Sequence, residues 1–165
     1  MLLEQCNEAV RAELEDVLRP CLDIQRWIDE IIDARPYESR EALLDSARIA
    51  ADPFTIPEIE SALSHHPRIG EKAAGTTKEA QLSTSEQSRV TGEDPAILAA
   101  IAEGNLAYES RFGRVFLIRA AGRSARDILG SLTQRLNNSP EAEMATVAQQ
   151  LREIALLRLE GALAA

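Results

Sequence analysis

Short amphipathic segments separated by prolines constrain the fold of this chain more than any other feature. Between residues 21 and 33, apolar side chains recur at helical spacing; they are Ile24, Trp27, Ile28, Ile31 and Ile32. Proline disfavours helical geometry in the residue before it, so helices are expected to stop ahead of Pro20, Pro36 and Pro67. Similar segments follow one another along the chain and predict an all-α fold, a single-domain bundle of about seven to nine helices.

The residues between these segments predict where each helix begins or ends. The expected helices are residues 7–18, residues 21–33, one capped by Ser39, one from the Thr55–Glu58 capping box to His65 or His66, a short one opened by Ser83, one from Asp94-Pro95 to Gly113, one capped by Ser124, and a last one opened by Ser139-Pro140. Residues 68–82 show no sustained period, and we expect a long loop there, which is typical of functional lids. The apolar run from Val115 to Ile118 is too short to be assigned to a strand.

Composition limits the partners and the compartment. The 165 residues fit one domain, 1–165, and the formal net charge of -9 disfavours nucleic acid and anionic membranes, because both bind basic surfaces. An anionic substrate would therefore need a local positive charge. The chain shows no apolar run of membrane length, no leader pattern and no peroxisomal Ser-Lys-Leu ending, and its two cysteines are too few for a disulfide framework. A cytoplasmic protein is expected.

The only two histidines, His65 and His66, directly precede Pro67. A histidine is the usual side chain for proton transfer near neutral pH. A histidine at a helix end also interacts favourably with the helix dipole, and a following proline is ordinary there. Adjacent helical residues point about 100° apart, so only one of the two is expected to face a given pocket. The pattern alone leaves the structural and the catalytic interpretations open.

A second polar cluster consists of Ser83, Glu86 and Gln87. Positions three and four residues apart share one face of a helix, so the three side chains could converge on a ligand. Ser-x-x-Glu is also the form of a capping box, in which both side chains satisfy amides at the start of a helix. The spacing by itself favours the capping box.

Two polar residues interrupt apolar helix faces. Arg158 continues the stripe formed by Val147, Leu151 and Ile154, so its guanidinium must either reach solvent past its apolar stem or meet an anion. Asn105 lies on another apolar stripe, where we expect it to form hydrogen bonds inside the protein.

Three stretches, taken in order, resemble one enzyme family. They are His65-His66-Pro67-Arg68-Ile69-Gly70 with Leu82-Ser83-Thr84-Ser85-Glu86-Gln87, then Asn105-Leu106-Ala107-Tyr108-Glu109-Ser110-Arg111-Phe112-Gly113 with Val115-Phe116-Leu117-Ile118, and finally Ile154-Ala155-Leu156-Leu157-Arg158-Leu159. The set is similar to the signature of the 2-oxo-4-hydroxy-4-carboxy-5-ureidoimidazoline (OHCU) decarboxylases. The His-Pro-Arg-Ile-Gly form resembles a bacterial branch, since many members have His-Pro-Asp-Leu. Arg68 is therefore not carried over as a substrate ligand.

The resemblance implies an enzyme of urate catabolism. Its expected reaction is the cofactor-independent decarboxylation of the anionic ureidoimidazoline to (S)-allantoin and carbon dioxide. It also implies that the enzyme is a homodimer. The rival hypothesis, from the residues alone, is a non-catalytic helical domain that binds a partner.

The resemblance also implies roles for single residues. His66 and Glu86 are the expected catalytic residues, although the sequence does not say which is the acid and which the base. The expected substrate-binding residues are Pro67, Ser83, Gln87, Phe116, Leu117, Ile118 and Arg158, with residues 116–118 acting through their main chain. No metal site is expected, because two adjacent histidines lack the third ligand that catalytic zinc usually has.

Overall fold

A computed structural model describes residues 1–64, 66–71, 75–90, 92 and 94–163. Within these residues there are nine α-helices and no strand; in chain order they are α1 Leu3–Glu8, α2 Arg11–Leu18, α3 Gln25–Asp33, α4 Arg40–Ala50, α5 Ile56–Leu63, α6 Lys78–Glu86, α7 Pro95–Phe112, α8 Ala125–Arg135 and α9 Pro140–Ala162. The all-α prediction is confirmed. The chain forms two compact units, of which the first comprises Met1–Ala62 with Arg152–Ala165 and the second Leu63–Leu151. The prediction of one domain over residues 1–165 stays a prediction.

The core of the first unit is built on α3, which packs against α2 and α4. Trp27, Ile28 and Ile31 are fully buried on one face of this helix, as their spacing predicts. Full burial of a large apolar side chain contributes about 1.5–3 kcal/mol. The indole N–H of Trp27 donates to the carbonyl of Ala47 in α4 at 2.9 Å, so the largest core side chain leaves no polar group unsatisfied.

In the second unit, α7 packs closely against α8. A Cβ atom on Gly104 of α7 would lie only 2.5 Å from Cδ2 of Leu132 in α8, so a larger residue at this position would force the side chain of Leu132 to shift. One turn further along α7, the buried ring of Tyr108 meets Phe116 edge to face, with the ring centroids 5.2 Å apart. This contact joins α7 to the segment that follows it.

Several helix starts are confirmed with their caps. The hydroxyl of Ser39 accepts a hydrogen bond from the amide of Ala42, Asp94 accepts from Ala96, and Ser124 forms a capping box with Asp127. Thr55 and Glu58 form the expected capping box at the start of α5. Gly113 ends α7 in the left-handed conformation, with φ 69°, which glycine adopts without strain.

Two of the N-terminal expectations are wrong. Residues 7–18 do not form one helix, because Ala9 and Val10 have extended ψ angles of 141° and 153° that separate α1 from α2. The guanidinium of Arg35 donates to the carbonyls of Cys6 and Ala9, at 3.0 and 2.7 Å, and thereby satisfies groups that the break exposes. The helix expected over 21–33 begins only at Gln25, after the extended residue Ile24.

The loop expected over residues 68–82 is also wrong in its last third, residues 78–82. α6 begins at Lys78, where the hydroxyl of Thr77 accepts a hydrogen bond from the amide of Ala80. Ser83 therefore does not open a helix but lies in the last turns of one. Thr77, six residues earlier in the chain, caps the helix instead of Ser83. Its side chain satisfies the same kind of amide that Ser83 was expected to satisfy.

Candidate active site

His66 and Pro67 lie in the turn that follows α5. The helix ends at Leu63, slightly before the expected end, and the backbone amide of His66 donates to the carbonyl of Leu63 at 3.1 Å. His66 is partly buried. His65 lies outside the described residues.

The chain after Pro67 is attached to α7 at two points. Arg68 forms a bidentate ion pair with Glu109, with Nε–Oε1 and Nη2–Oε2 distances of 2.5 and 3.0 Å. The amide nitrogen of Asn105 donates to the carbonyl of Ile69 at 3.0 Å. Asn105 and Glu109 are four residues apart and therefore share one face of α7. The inward hydrogen bond that the sequence predicts for Asn105 is confirmed.

The electrostatics of the Arg68–Glu109 pair follow from its geometry. Hydrogen bonds from Arg68 hold the pKa of the Glu109 carboxyl below its usual value, and the same hydrogen bonds raise the pKa of Arg68. Both groups therefore stay charged at neutral pH. The sequence left the role of Arg68 open; in the structure it pairs with Glu109 of the second family stretch.

A third attachment joins the same segment to α6. The side-chain oxygen of Gln87, directly after α6, accepts a hydrogen bond from the amide of Gly70 at 2.8 Å. Gly70 has φ 86°, a conformation that favours glycine. We call residues 68–70, with their partners Glu109, Asn105 and Gln87, the His-Pro clasp, because they fix the chain directly after His66 and Pro67.

The end of α6 presents the second cluster of candidate residues. Ser83 and Gln87 are buried, with 3% and 6% of their surface exposed, and Glu86 is partly buried. The capping box that the spacing favoured for Ser83 and Glu86 is wrong, since these residues lie at the end of the helix and Thr77 caps its start. The main structural explanation for this pair is thus removed.

Residues 116–118 form a buried segment that is neither helix nor strand. Its main chain is held by side chains: Nη1 of Arg135 donates to the carbonyl of Leu117 at 2.8 Å, and the amide of Arg119 donates to the side-chain oxygen of Gln150 at 3.0 Å. Neither Arg135 nor Gln150 was singled out from the sequence.

Arg135 is itself held by a buried carboxylate. Nε and Nη2 of Arg135 donate to Glu143 at 2.8 and 2.6 Å, and Glu143 is fully buried. The hydroxyl of Tyr108 donates to the same carboxylate at 2.5 Å. Burial and this carboxylate together raise the pKa of Tyr108, so the phenol remains protonated. A sequence signal existed, because Glu143 lies four residues before Val147 and extends the apolar stripe that carries Arg158.

Arg158 belongs to the first unit and is buried. Only 4% of its surface is exposed, so the interpretation in which its guanidinium reaches solvent is wrong. Nη1 of Arg158 donates to the carbonyl of Pro20 at 3.2 Å.

Metal binding and membrane insertion have no support in the part of the chain that the structure describes. No three histidine, cysteine or carboxylate side chains of these residues are grouped so that they could hold a metal ion. None of the described helices combines the length and the apolar character needed to cross a bilayer.

Comparisons with known proteins agree with one another. A model of the OHCU decarboxylase family matches residues 7–160. The chain is 29% identical, over 148 residues and 88% of its length, to the uric acid degradation bifunctional protein TTL of Arabidopsis thaliana. It is 24% identical, over 97% of its length, to the uric acid degradation bifunctional protein of Bacillus sp. (strain TB-90). It spans 46% and 32% of these two relatives, respectively.

Solved structures show the same similarity. A crystal structure of OHCU decarboxylase in the presence of (S)-allantoin superimposes with a TM-score of 0.76 and 27% sequence identity, covering 92% of this chain and 99% of that one. A crystal structure of (S)-allantoin synthase superimposes with a TM-score of 0.72 over 98% of this chain and 54% of that one. At 16% identity, the second match supports the fold alone.

Proposed function

The chain belongs to the OHCU decarboxylase family, and on that basis we propose that it converts 2-oxo-4-hydroxy-4-carboxy-5-ureidoimidazoline to (S)-allantoin and carbon dioxide. The family match over residues 7–160 is the observation that carries this proposal. The geometry of the second unit supports it, because the clasp ties the chain after His66 and Pro67 to the end of α6, next to Glu86.

The proposed reaction needs no cofactor, because the substrate supplies its own electron sink. The carbon–carboxylate bond breaks, carbon dioxide leaves, and the bonding electron pair forms a double bond to the neighbouring ring carbon. The π electrons of the adjacent carbon–nitrogen double bond move onto nitrogen, which takes up a proton. The enol-like intermediate then loses its hydroxyl proton while the neighbouring carbon gains one, so that one proton is consumed overall.

We assign the proton transfers to His66 and Glu86, a pair suited to general acid–base catalysis. Protonation of the ring carbon from one face only sets the configuration of the product.

The other assignments concern binding. Gln87 uses its side-chain oxygen for Gly70, so its two N–H donors are the groups with which it can bind a carbonyl of the ureido group. Ser83 and Pro67 complete this part of the proposed site, and residues 116–118 contribute their main chain. Arg158 is assigned to an anionic or carbonyl group of the substrate, to which a guanidinium fork is well suited.

The protein is proposed to act in the cytoplasm as a homodimer, with a small anionic substrate and no nucleic-acid or membrane partner. The net charge of -9 supports the last part of this statement. The rival hypothesis of a non-catalytic binding domain lost its main support when Ser83 and Glu86 proved to lie at the end of α6.

The test is a turnover assay with freshly generated substrate, followed by circular dichroism. We expect rapid formation of optically active (S)-allantoin, whereas protonation in free solution, without a chiral environment, gives both enantiomers. Prolonged dialysis against a strong chelator should leave the rate unchanged. Racemic product formed at the rate of the enzyme-free control would refute the proposal, and activity that returns only with added metal would refute its cofactor-independent form.

A further inference from the structure

Two backbone groups between Phe116 and Arg119 are hydrogen-bonded to side chains from distant helices. The segment is buried and is paired with no strand among the described residues, yet buried backbone groups must be satisfied. Arg135, from the end of α8, binds the carbonyl of Leu117, and Gln150, from α9, binds the amide of Arg119. We propose that Arg135 and Gln150 are positioning residues that hold the substrate-binding main chain of residues 116–118 in its productive conformation. This inference rests on the proposed function.

The two hydrogen bonds engage backbone groups on either side of Ile118. Arg135 binds the carbonyl of Leu117, and Gln150 binds the amide of Arg119. The amide and carbonyl of Ile118 take no part in either bond, and they are the groups that we assign to the ligand.

Arg135 is suited to this role because it has little freedom to move. Two of its nitrogens are bound to the fully buried carboxylate of Glu143, and its guanidinium carbon lies 4.5 Å from the centroid of the Phe116 ring. Glu143 is fixed in turn by the hydroxyl of Tyr108 at 2.5 Å and by the side-chain amide of Asn138 at 2.9 Å. The donor to Leu117 is thus held in place from several directions.

Gln150 offers the cleaner test, since it is neutral and its removal leaves no buried charge. Gln150→Met keeps the approximate size and removes the oxygen that accepts the Arg119 amide. Gln150→Glu keeps an acceptor oxygen. Its negative charge would lie near two positive charges, because Arg123 and Arg135 line the same cavity as Gln150. Thr146→Val is the matched control: Thr146 lies one turn earlier on α9, and its hydroxyl donates to the carbonyl of Ala142, at 3.0 Å, in its own helix.

The experiment measures kcat and KM for the ureidoimidazoline, the melting temperature, and hydrogen exchange at the amide of Arg119. For Gln150→Met we expect kcat/KM to fall by roughly 10-fold, mainly through KM, because the loosened main chain binds substrate and transition state less well. Exchange at Arg119 should accelerate. Gln150→Glu should recover most of the activity, and Thr146→Val should match the wild type. Arg135→Lys keeps the charge opposite Glu143 but loses the fork, so it should also raise KM.

The outcomes separate this inference from the proposed function. Wild-type KM and unchanged Arg119 exchange in Gln150→Met would overturn the positioning role. A lowered melting temperature with unchanged KM would overturn it as well, because it would show that the contact serves stability alone. A wild-type protein that does not act on the ureidoimidazoline would refute the proposed function and, with it, the role of this segment in substrate binding.

Discussion

The side-chain oxygen of Gln87 accepts a hydrogen bond from the backbone amide of Gly70 at 2.8 Å. This bond connects two stretches of sequence that carry the family resemblance, the chain after His66 and the end of α6. It is one of three contacts in the His-Pro clasp. It also restricts what Gln87 can do for a substrate, because its acceptor is used inside the protein and its donors remain.

Gln87→Met should destabilise the protein by about 1–3 kcal/mol, since the amide of Gly70 is left without its partner. Urea denaturation measures this change. The matched control is Gln81→Met in α6, whose exposed side chain bonds to the carbonyl of Thr76 at 3.2 Å and whose loss should change stability by about 0.5 kcal/mol or less. Equal free energies of unfolding for the two variants would show that the Gly70–Gln87 contact does not stabilise the clasp.

His66→Asn should lower turnover by about 10²–10⁴-fold, the usual contribution of a general acid or base. His65→Ala should have little effect, because the resemblance selects the histidine directly before Pro67. Steady-state kinetics of both variants provides the comparison. Mild losses of similar size at both positions would contradict the assignment of His66.

Glu86→Gln should remove most of the activity and leave the fold intact. The substitution keeps the size of the side chain but removes its charge and its capacity for proton transfer. A carboxylate in the last turn of α6 is disfavoured by the helix dipole, so loss of the charge carries no cost from that source. Thermal unfolding and turnover are measured together, and near-normal turnover in this variant would argue against a catalytic Glu86.

Arg158→Met should lower both stability and activity. The stability falls because the carbonyl of Pro20 loses its donor, and kcat/KM falls by roughly 10- to 150-fold if one charge-assisted bond to substrate is also lost. Arg158→Lys keeps the charge but not the planar fork, and should recover only part of the activity.

Arg152→Met is the control for the Arg158 variants, since Arg152 also lies on α9 and bonds to the carbonyl of Ala51 at 3.2 Å and to Asp52 at 2.8 Å. It should lose stability without losing kcat/KM. Equal kcat/KM for Arg152→Met and Arg158→Met would show that Arg158 has a structural role only.

The ion pair between Arg26 and Glu58 should make stability depend on acidity. Hydrogen bonds from Arg26 lower the pKa of Glu58 from its ordinary value of 4.5 to about 2. A folded-state pKa below the unfolded one stabilises the protein above pH 4.5, and this contribution is lost as the pH falls towards 2. Glu58→Gln retains a residue that serves in capping boxes with Thr55 and should weaken the dependence of unfolding on pH in this range. An identical acid-unfolding profile for the variant would refute this expectation.

Much of the fold could be predicted because the signals are local. The caps at Ser39, Asp94 and Ser124 bond to amides two or three residues away, and Gly113 needs only its own backbone freedom to end α7. The face of α3 follows from the spacing of its apolar residues. Family membership follows from ordered motifs, which need no knowledge of contacts.

The remaining features depend on residues that are distant in sequence. At the break between α1 and α2, the carbonyl of Ala9 accepts a hydrogen bond from the guanidinium of Arg35, which lies 26 residues further along the chain. The cap of α6 is an exception, because Thr77 bonds to an amide only three residues away and Ser83 is a residue type that makes the same local hydrogen bond.

In the candidate site too, some features could be predicted from the sequence and others only from the tertiary structure. The sequence by itself determined the helical architecture, the family and the candidates His66, Glu86 and Gln87. Only the tertiary structure decided that Ser83 and Glu86 end a helix, that Arg158 is buried, and that Arg135 and Gln150 hold the main chain of residues 116–119. The physical reason is that a buried polar group must find a partner, and the partner is supplied by whichever distant side chain the packing brings within hydrogen-bonding distance.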